Sequence, residues 1–261
     1  MTPFEFLRLS RRYITVVAML VAFFSATLVA PNMAYSASDA EGEEIALSLA
    51  TLLRSARAVI SKNQKHINDP SVGDKGLSAE VVVAAAKANY MKATGVDLDS
   101  VDMSGLQGEL LQAELKAIAE VMNDAQASIN QEGVGLKGFL PAVFARLVTE
   151  RFRALKGEIA LIRLTAPADL VRNRANRPDA WEKGIIEEQF KDPSYPTGQQ
   201  VVAEADYKGR PALRLILPEY YKESCLACHG EPAGEPDITG GKKEGGVLGQ
   251  LGGAISVLIF Q

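Results

Sequence analysis

Two cysteines, separated by two residues and followed at once by a histidine, stand near the C-terminal end of a chain that has only two cysteines and two histidines in all. Cys225-Leu226-Ala227-Cys228-His229 has the C-x-x-C-H spacing of covalent haem attachment. The spacing has a physical basis. Two thiols so placed reach the two vinyl groups on one edge of a porphyrin, and the histidine after the second thiol is then held beneath the iron as its proximal ligand. Three other chemistries use close cysteines. A structural disulfide suits an oxidising compartment. A thioredoxin-like redox pair calls for a βαβ setting, and this motif lies late in the chain without one. A zinc site needs a second Cys or Cys/His pair, and none exists. The expectation is therefore one covalent haem c, with thioethers at Cys225 and Cys228 and His229 as axial iron ligand.

Neither cysteine is spare, so a second axial ligand must come from elsewhere. His66 lies seven residues beyond Val59 and fourteen beyond Leu52, which on a continuing helix places it on the same buried stripe. A ring nitrogen on that face reaches toward iron. The competing reading is a histidine satisfying the last carbonyls of its helix. Met91 and Met122 offer sulfur, although a methionine inside a helix is usually core filling. An open sixth position is a further alternative, and it would admit a diatomic gas.

The elements that must position these residues begin after residue 36. Arg8, Arg11 and Arg12 form a basic start, and Tyr13 to Val29 is apolar and uncharged. Ala34-Tyr35-Ser36 offers small residues at the positions a signal peptidase reads, which predicts cleavage before Ala37. The alternative is an uncleaved membrane anchor. Either way the remainder is expected outside the cytoplasm, periplasmic or extracytoplasmic. Ser10-Arg11-Arg12 also resembles a twin-arginine signal. That route carries folded proteins, whereas c-type haem is attached to an unfolded exported chain, so general secretion fits better. Loss of residues 1–36 removes three Arg and one Glu and takes the net charge from −4 to −6. An acidic chain of this kind excludes nucleic acid as a partner.

With 261 residues, 47% of them hydrophobic, the chain can bury a substantial core. Glu41 to about Asn68 reads as one long amphipathic helix stopped by Asp69-Pro70. Ser78 caps a second helix that ends at Gly95. Leu106 to Ile129 is a third, and Pro141 opens a fourth through Phe152. From Gly157 the pattern changes to strands. Glu158–Leu164 is one. Val201–Tyr207 and Arg210–Ile216 form a hairpin around Lys208-Gly209, and Gly253–Phe260 closes the chain. A Gly- and Lys-rich loop between the last two strands carries the cysteines. The fold class is α+β, with helices first and an antiparallel sheet after them, in a single domain over residues 37–261.

Four stretches together are similar to a known family. They are Ala56–Gln64 with Ile67-Asn68-Asp69-Pro70, Lys137–Phe144, Arg172–Glu182, and the run from Cys225 through Gly230 to the closing Gly249–Val257. In them the chain resembles the bacterial and cyanobacterial single-haem c-type proteins of PAS-like fold, which occur alone or as sensor modules ahead of histidine kinases. The resemblance implies about five antiparallel strands, a long N-terminal helix packed near them, and haem at Cys225, Cys228 and His229. Within the third stretch, Arg172 has two readings: a guanidinium that grips a haem propionate, or part of a fold-defining loop in which Asn side chains satisfy the backbone and Trp181 packs as core. Lys242-Lys243-Glu244 reads as a solvated turn, or as a docking patch for an acidic redox partner.

Two functions fit these residues. One is a redox or small-ligand sensor whose state is read by a partner protein. The other is a one-electron carrier. A haem peroxidase needs an open iron and a distal acid–base residue. The sequence offers little for that role, so the expectation is not an enzyme.

Overall fold

The computed structural model describes Ala37–Gln261. The basic start at Arg8, Arg11 and Arg12, the apolar stretch and the cleavage position lie outside the described residues. Among the described residues no helix is long and apolar enough to cross a membrane.

Helices come first. Helix α1 (Ala37–Lys62) buries Ile45, Leu49, Leu52, Ala56, Val59 and Ile60, a stripe at helical spacing that faces the core. It stops short of the expected end near Asn68. Asn63 turns the chain, its side-chain Nδ2 donating to the Val59 carbonyl at 2.9 Å, and a separate single turn, α2 (Gln64–Ile67), follows. A short amide side chain that bonds its own backbone competes with helix continuation. Ile67 continues the buried row of Leu53 and Ile60, seven residues on, while His66 beside it lies at the stripe's edge and is exposed. The expectation that His66 extends the buried stripe is corrected on that ground. Its Nε2 donates to the Lys75 carbonyl at 3.0 Å.

Helix α3 (Ala79–Thr94) is capped by Ser78 and ends on Gly95, at φ 76°, as the sequence suggests. Helix α4 (Leu106–Ile129) and helix α5 (Pro141–Lys156, with proline in its first turn) complete the helical layer. Strand β1 (Ala160–Thr165) then leads to an irregular stretch holding a 3-10 turn (Arg174–Asn176), α6 (Ala180–Ile185) and a π-helical turn (Ile186–Phe190). Strands β2 (Val201–Glu204) and β3 (Ala212–Tyr220), helix α7 (Glu223–His229) and strand β4 (Leu251–Phe260) finish the chain.

The architecture is α+β. Among the described residues the sheet has four strands, ordered β1-β4-β3-β2 and antiparallel throughout, where about five were expected. Side-chain alternation gives its two faces different tasks. Leu213, Leu215 and Leu217 of β3, with Ile255, Val257 and Ile259 of β4, join the large apolar core shared with the helices. The intervening Ile216 and Ala254 pack on Ile186 and Phe190, with Trp181 at the margin, so the stretch between β1 and β2 covers the second face.

That second face holds a buried ion network. Arg214 of β3 is 1% exposed and Glu182 of α6 is fully buried. Arg214 pairs with Asp179 at 2.7 Å, and Arg163 of β1 pairs with Glu182 at 2.7 Å. Asp179 and Glu182 also cap α6 reciprocally, each side chain accepting from the other's backbone N–H at 2.9 Å. The Arg214 guanidinium lies 4.4 Å over the Trp181 ring. Of the fold-defining reading, Asn173 accepts from the Ala175 backbone N–H at 3.0 Å, and Trp181 is half-buried at the edge of the cluster instead of in the core. Removing one member of a buried pair strands the other. Glu182→Ala should lower stability by about 3–5 kcal/mol in urea unfolding.

A buried carboxyl elsewhere has no partner. Glu114 of α4 is 0% exposed, and neither carboxylate oxygen has a hydrogen-bond partner. Burial pushes its pKa well above the usual glutamate range. The folded chain therefore keeps a proton that the unfolded chain releases once pH passes the ordinary carboxylate range. Stability falls from there as pH rises toward the folded-state pKa. Glu114→Gln should abolish that slope in urea titrations at stepped pH. Glu114→Leu should gain about 1–3 kcal/mol at neutral pH.

Candidate functional site

Cys225, Cys228 and His229 sit on a helix, α7, rather than in the open loop expected from the glycines and lysines around them. Those residues fill the next segment, 230–250. On α7 the three side chains occupy positions i, i+3 and i+4, and so share one face. Both cysteines are free and half-buried, so they form no disulfide with each other. The Cys225 sulfur accepts from the Lys222 backbone N–H at 3.4 Å. Burial, then Asp237, raises the Cys228 thiol above its ordinary value.

Three elements grip this helix. The end of α1 meets its start, with Ser61 Oγ 3.0 Å from Ser224 Oγ. One turn back along α1, Arg57 and Arg54 both pair with Glu219 of β3, Arg54 Nε at 2.5 Å. Burial lowers the Arg57 guanidinium to about 10, while Cys225 acts to raise it. Tyr221 forms the floor. Its ring stacks on the His229 imidazole, with centroids 5.2 Å apart and planes at 19°. A Cβ at Gly246 or at Gly252 would run into the same tyrosine ring, so glycine is required at both places. Burial pushes the Tyr221 hydroxyl up to about 12, with Glu244 adding to the effect.

The third element is segment 230–250, which folds back over α7. Gly246 N–H donates to the His229 carbonyl at 2.7 Å, and Gly249 N–H to the Tyr221 carbonyl at 2.9 Å. Its side chains carry the charge that matters. His229 Nδ1 lies 2.9 Å from Glu244 Oε2. Glu244 is engaged twice by Arg172, through Nε and through Nη2 at 3.0 Å. Burial alone would raise Glu244, but the bonds from Arg172 and His229 outweigh it and hold the carboxyl below its usual range. An ionised carboxylate only accepts, so Nδ1 is the protonated, donating nitrogen of His229. Its Nε2 is left to face other chemistry.

Arg172 also bonds Asp237 at 2.5 Å and the carbonyls of Cys228 and Lys242 at 2.7 and 2.8 Å. Arg172, for which a propionate grip or a fold-defining loop was expected, lies beside α7. Its guanidinium, however, is held by protein carboxylates and carbonyls, and so acts as a clasp on the segment; gripping a propionate would require breaking that clasp. Asp237 in turn accepts from Thr239 and Arg172, which depress its carboxyl strongly.

His66 is joined to the loop after α2, not to α7, through its bond to Lys75. Met91 is 51% exposed and Met122 is fully buried in the helical core. Sequence reasoning missed Glu244, read as a solvated turn, along with Tyr221, Asp237 and the pair Arg54 and Arg57. Glu244 lies fifteen residues past His229, a separation that signals nothing in one dimension.

The site can be tested against an axially ligated porphyrin. Two free thiols and an imidazole share a helix face, and the imidazole has Nδ1 held and Nε2 unclaimed. Beside them Ile238, Val247 and Leu248 leave apolar side chains more than half exposed on segment 230–250. These residues fit the group. Among the described residues no set of three His, Cys, Asp or Glu side chains is gathered to hold a metal ion by itself.

Residues 36–259 match the Tll0287-like family. No curated protein and no solved structure matches the chain. The match spans both the helical layer and the sheet, together with the segment that clasps α7, and on that footing the chain belongs to the Tll0287-like family.

Proposed function

We propose that this chain is an exported mono-haem c protein of PAS-like fold that senses redox state or a small ligand and is not an enzyme. The observation that carries the reading is the shared face of α7: two unpaired thiols and an imidazole anchored through Nδ1. Cys225 and Cys228 would hold the porphyrin by thioethers, and His229 would ligate iron through Nε2. A bound haem supplies one-electron exchange and, where its sixth position is open, a place for a diatomic gas. The protein's own part is to fix the ring, orient the imidazole and connect the site to the rest of the fold. His66 is the proposed second ligand only if it leaves the Lys75 carbonyl. Sensing is supported by connectivity, since α7 is bonded to α1 at Ser61 and, through Arg172, to the stretch between β1 and α6. A redox or signalling partner would read a shift along either route.

A second reading is a one-electron carrier, favoured by the half-exposed cysteines, which would leave a haem edge near solvent. Ligand titration separates the two. Binding of NO, CO or O2, or a redox-linked change in hydrogen exchange along α1, is expected for a sensor. Rapid electron exchange without either supports the carrier.

Protein recovered from cytochrome-maturing cells should show a Soret band and, by pyridine haemochrome, one haem per chain. Cys225→Ser and Cys228→Ser should each lose one thioether, and the double variant should lose covalent haem. Bare polypeptide mass in the wild-type protein overturns the reading. His66→Ala tests the second ligand, since an unchanged low-spin spectrum removes His66 from that role.

A further inference from the structure

We propose that Glu244 is a positioning residue that sets the electron-donating strength of His229, and that Arg172 and Asp237 exist to hold it there. The inference rests on the haem reading above and goes beyond it, since attachment requires only the thiols and the imidazole. The geometry is a continuous chain. Asp237 bonds Arg172, Arg172 engages Glu244 through two nitrogens, and Glu244 accepts from His229 Nδ1 at 2.9 Å. The two carboxylates are sheltered, the Asp237 side chain being fully buried and that of Glu244 16% exposed, with the Arg172 side chain, 32% exposed, between them.

A carboxylate on the far nitrogen of an axial imidazole draws the Nδ1 proton toward itself and makes Nε2 a stronger donor. A backbone carbonyl in the same place would orient the ring with much less charge. Stronger donation and a nearby negative charge both favour the ferric state, which carries one more positive charge than the ferrous. The clasp matters because a free glutamate side chain would turn into solvent. Arg172 comes from the stretch between β1 and α6, so Glu244 is fixed by an element outside its own segment. The Tyr221 ring stacked on the imidazole blocks rotation about the ring axis.

Two main readouts test this claim, and the first is independent of the haem reading. The first uses the full chain expressed without haem maturation. Nitrogen-15 NMR of its histidines in mildly alkaline buffer should show His229 as the Nδ1–H tautomer, and Glu244→Gln should populate the Nε2–H tautomer. The second is the midpoint potential of the haem-loaded protein. Glu244→Gln keeps the side-chain shape and removes the charge. It should raise the potential by at least a tenfold change in the oxidised-to-reduced ratio at fixed poise, about 59 mV for one electron. The iron–histidine stretch in resonance Raman spectra of the reduced protein, where five-coordinate, should fall with it. Arg172→Lys preserves charge but lacks the fork and should move the potential in the same direction by less. If the Glu244→Gln protein does not fold, Arg172→Lys carries the test. An Nε2–H tautomer in the wild-type chain, or an unchanged potential in the folded variants, overturns the assignment. Absence of a Soret band in mature wild-type protein overturns the haem reading alone, and the tautomer measurement then still decides the Glu244–His229 pairing.

Discussion

The Arg172 guanidinium is the constraint on which the site depends. It reaches across from the stretch after β1 and closes segment 230–250 by bonding Asp237, Glu244 and the carbonyls of Cys228 and Lys242. Segment 230–250 is rich in glycine and lysine and has no core of its own. A polar clasp is the available way to give such a segment one conformation. Ion pairs of this kind add little net stability, because desolvation offsets most of the attraction. What they supply here is geometry: a carboxylate aimed at one nitrogen of one imidazole.

The same logic appears on the second face of the sheet, with a different balance. Arg214 and Glu182 are removed from water almost completely, and Arg163 and Asp179 complete the set. An apolar pair in those places would pack as well. It would not also cap α6, nor pin the stretch that later presents Arg172. The buried network and the clasp are therefore two levels of one support. The first fixes the covering stretch on the sheet, and the second uses that stretch to fix the segment beside α7.

Much of this was legible in the sequence, and the failures are instructive. Helices α3 and α5 follow from caps and breakers at Ser78, Gly95 and Pro141, because those residues act locally, and α4 from its run of Ala, Leu, Glu and Gln. The hairpin at Lys208-Gly209 was legible for the same reason, since both residues take positive φ, 53° and 80°. Cys225, Cys228 and His229 come from spacing alone and lie on one face. The end of α1 was misread because Asn63 satisfies itself on Val59, a choice that periodicity does not encode. Glu244 was misread because its partners, Arg172 and His229, are seventy-two and fifteen residues away. Charge next to Lys242 and Lys243 looks like solvent-facing polarity until the segment is folded over α7. The residue pattern points to four strands and four are found among the described residues; the fifth was implied by the family resemblance alone.

The attachment of α7 to the end of α1 at one side and to segment 230–250 at the other bears on what a cofactor there could do. A group held only by the short α7 would report to nothing, since a seven-residue helix moves as a unit. Here the start of α7 touches Ser61 near the end of a twenty-six-residue helix, and its end is bonded through Glu244 and Arg172 to the stretch covering the sheet. A change in charge at His229 therefore acts on Glu244 first, and Glu244 shares Arg172 with Asp237. Arg172 also holds the Cys228 carbonyl, so the same guanidinium that grips Glu244 grips the backbone between Cys228 and His229. The contact with α1 depends on no charge, so α7 has a neutral hydroxyl contact at its start and a charged clasp at its end.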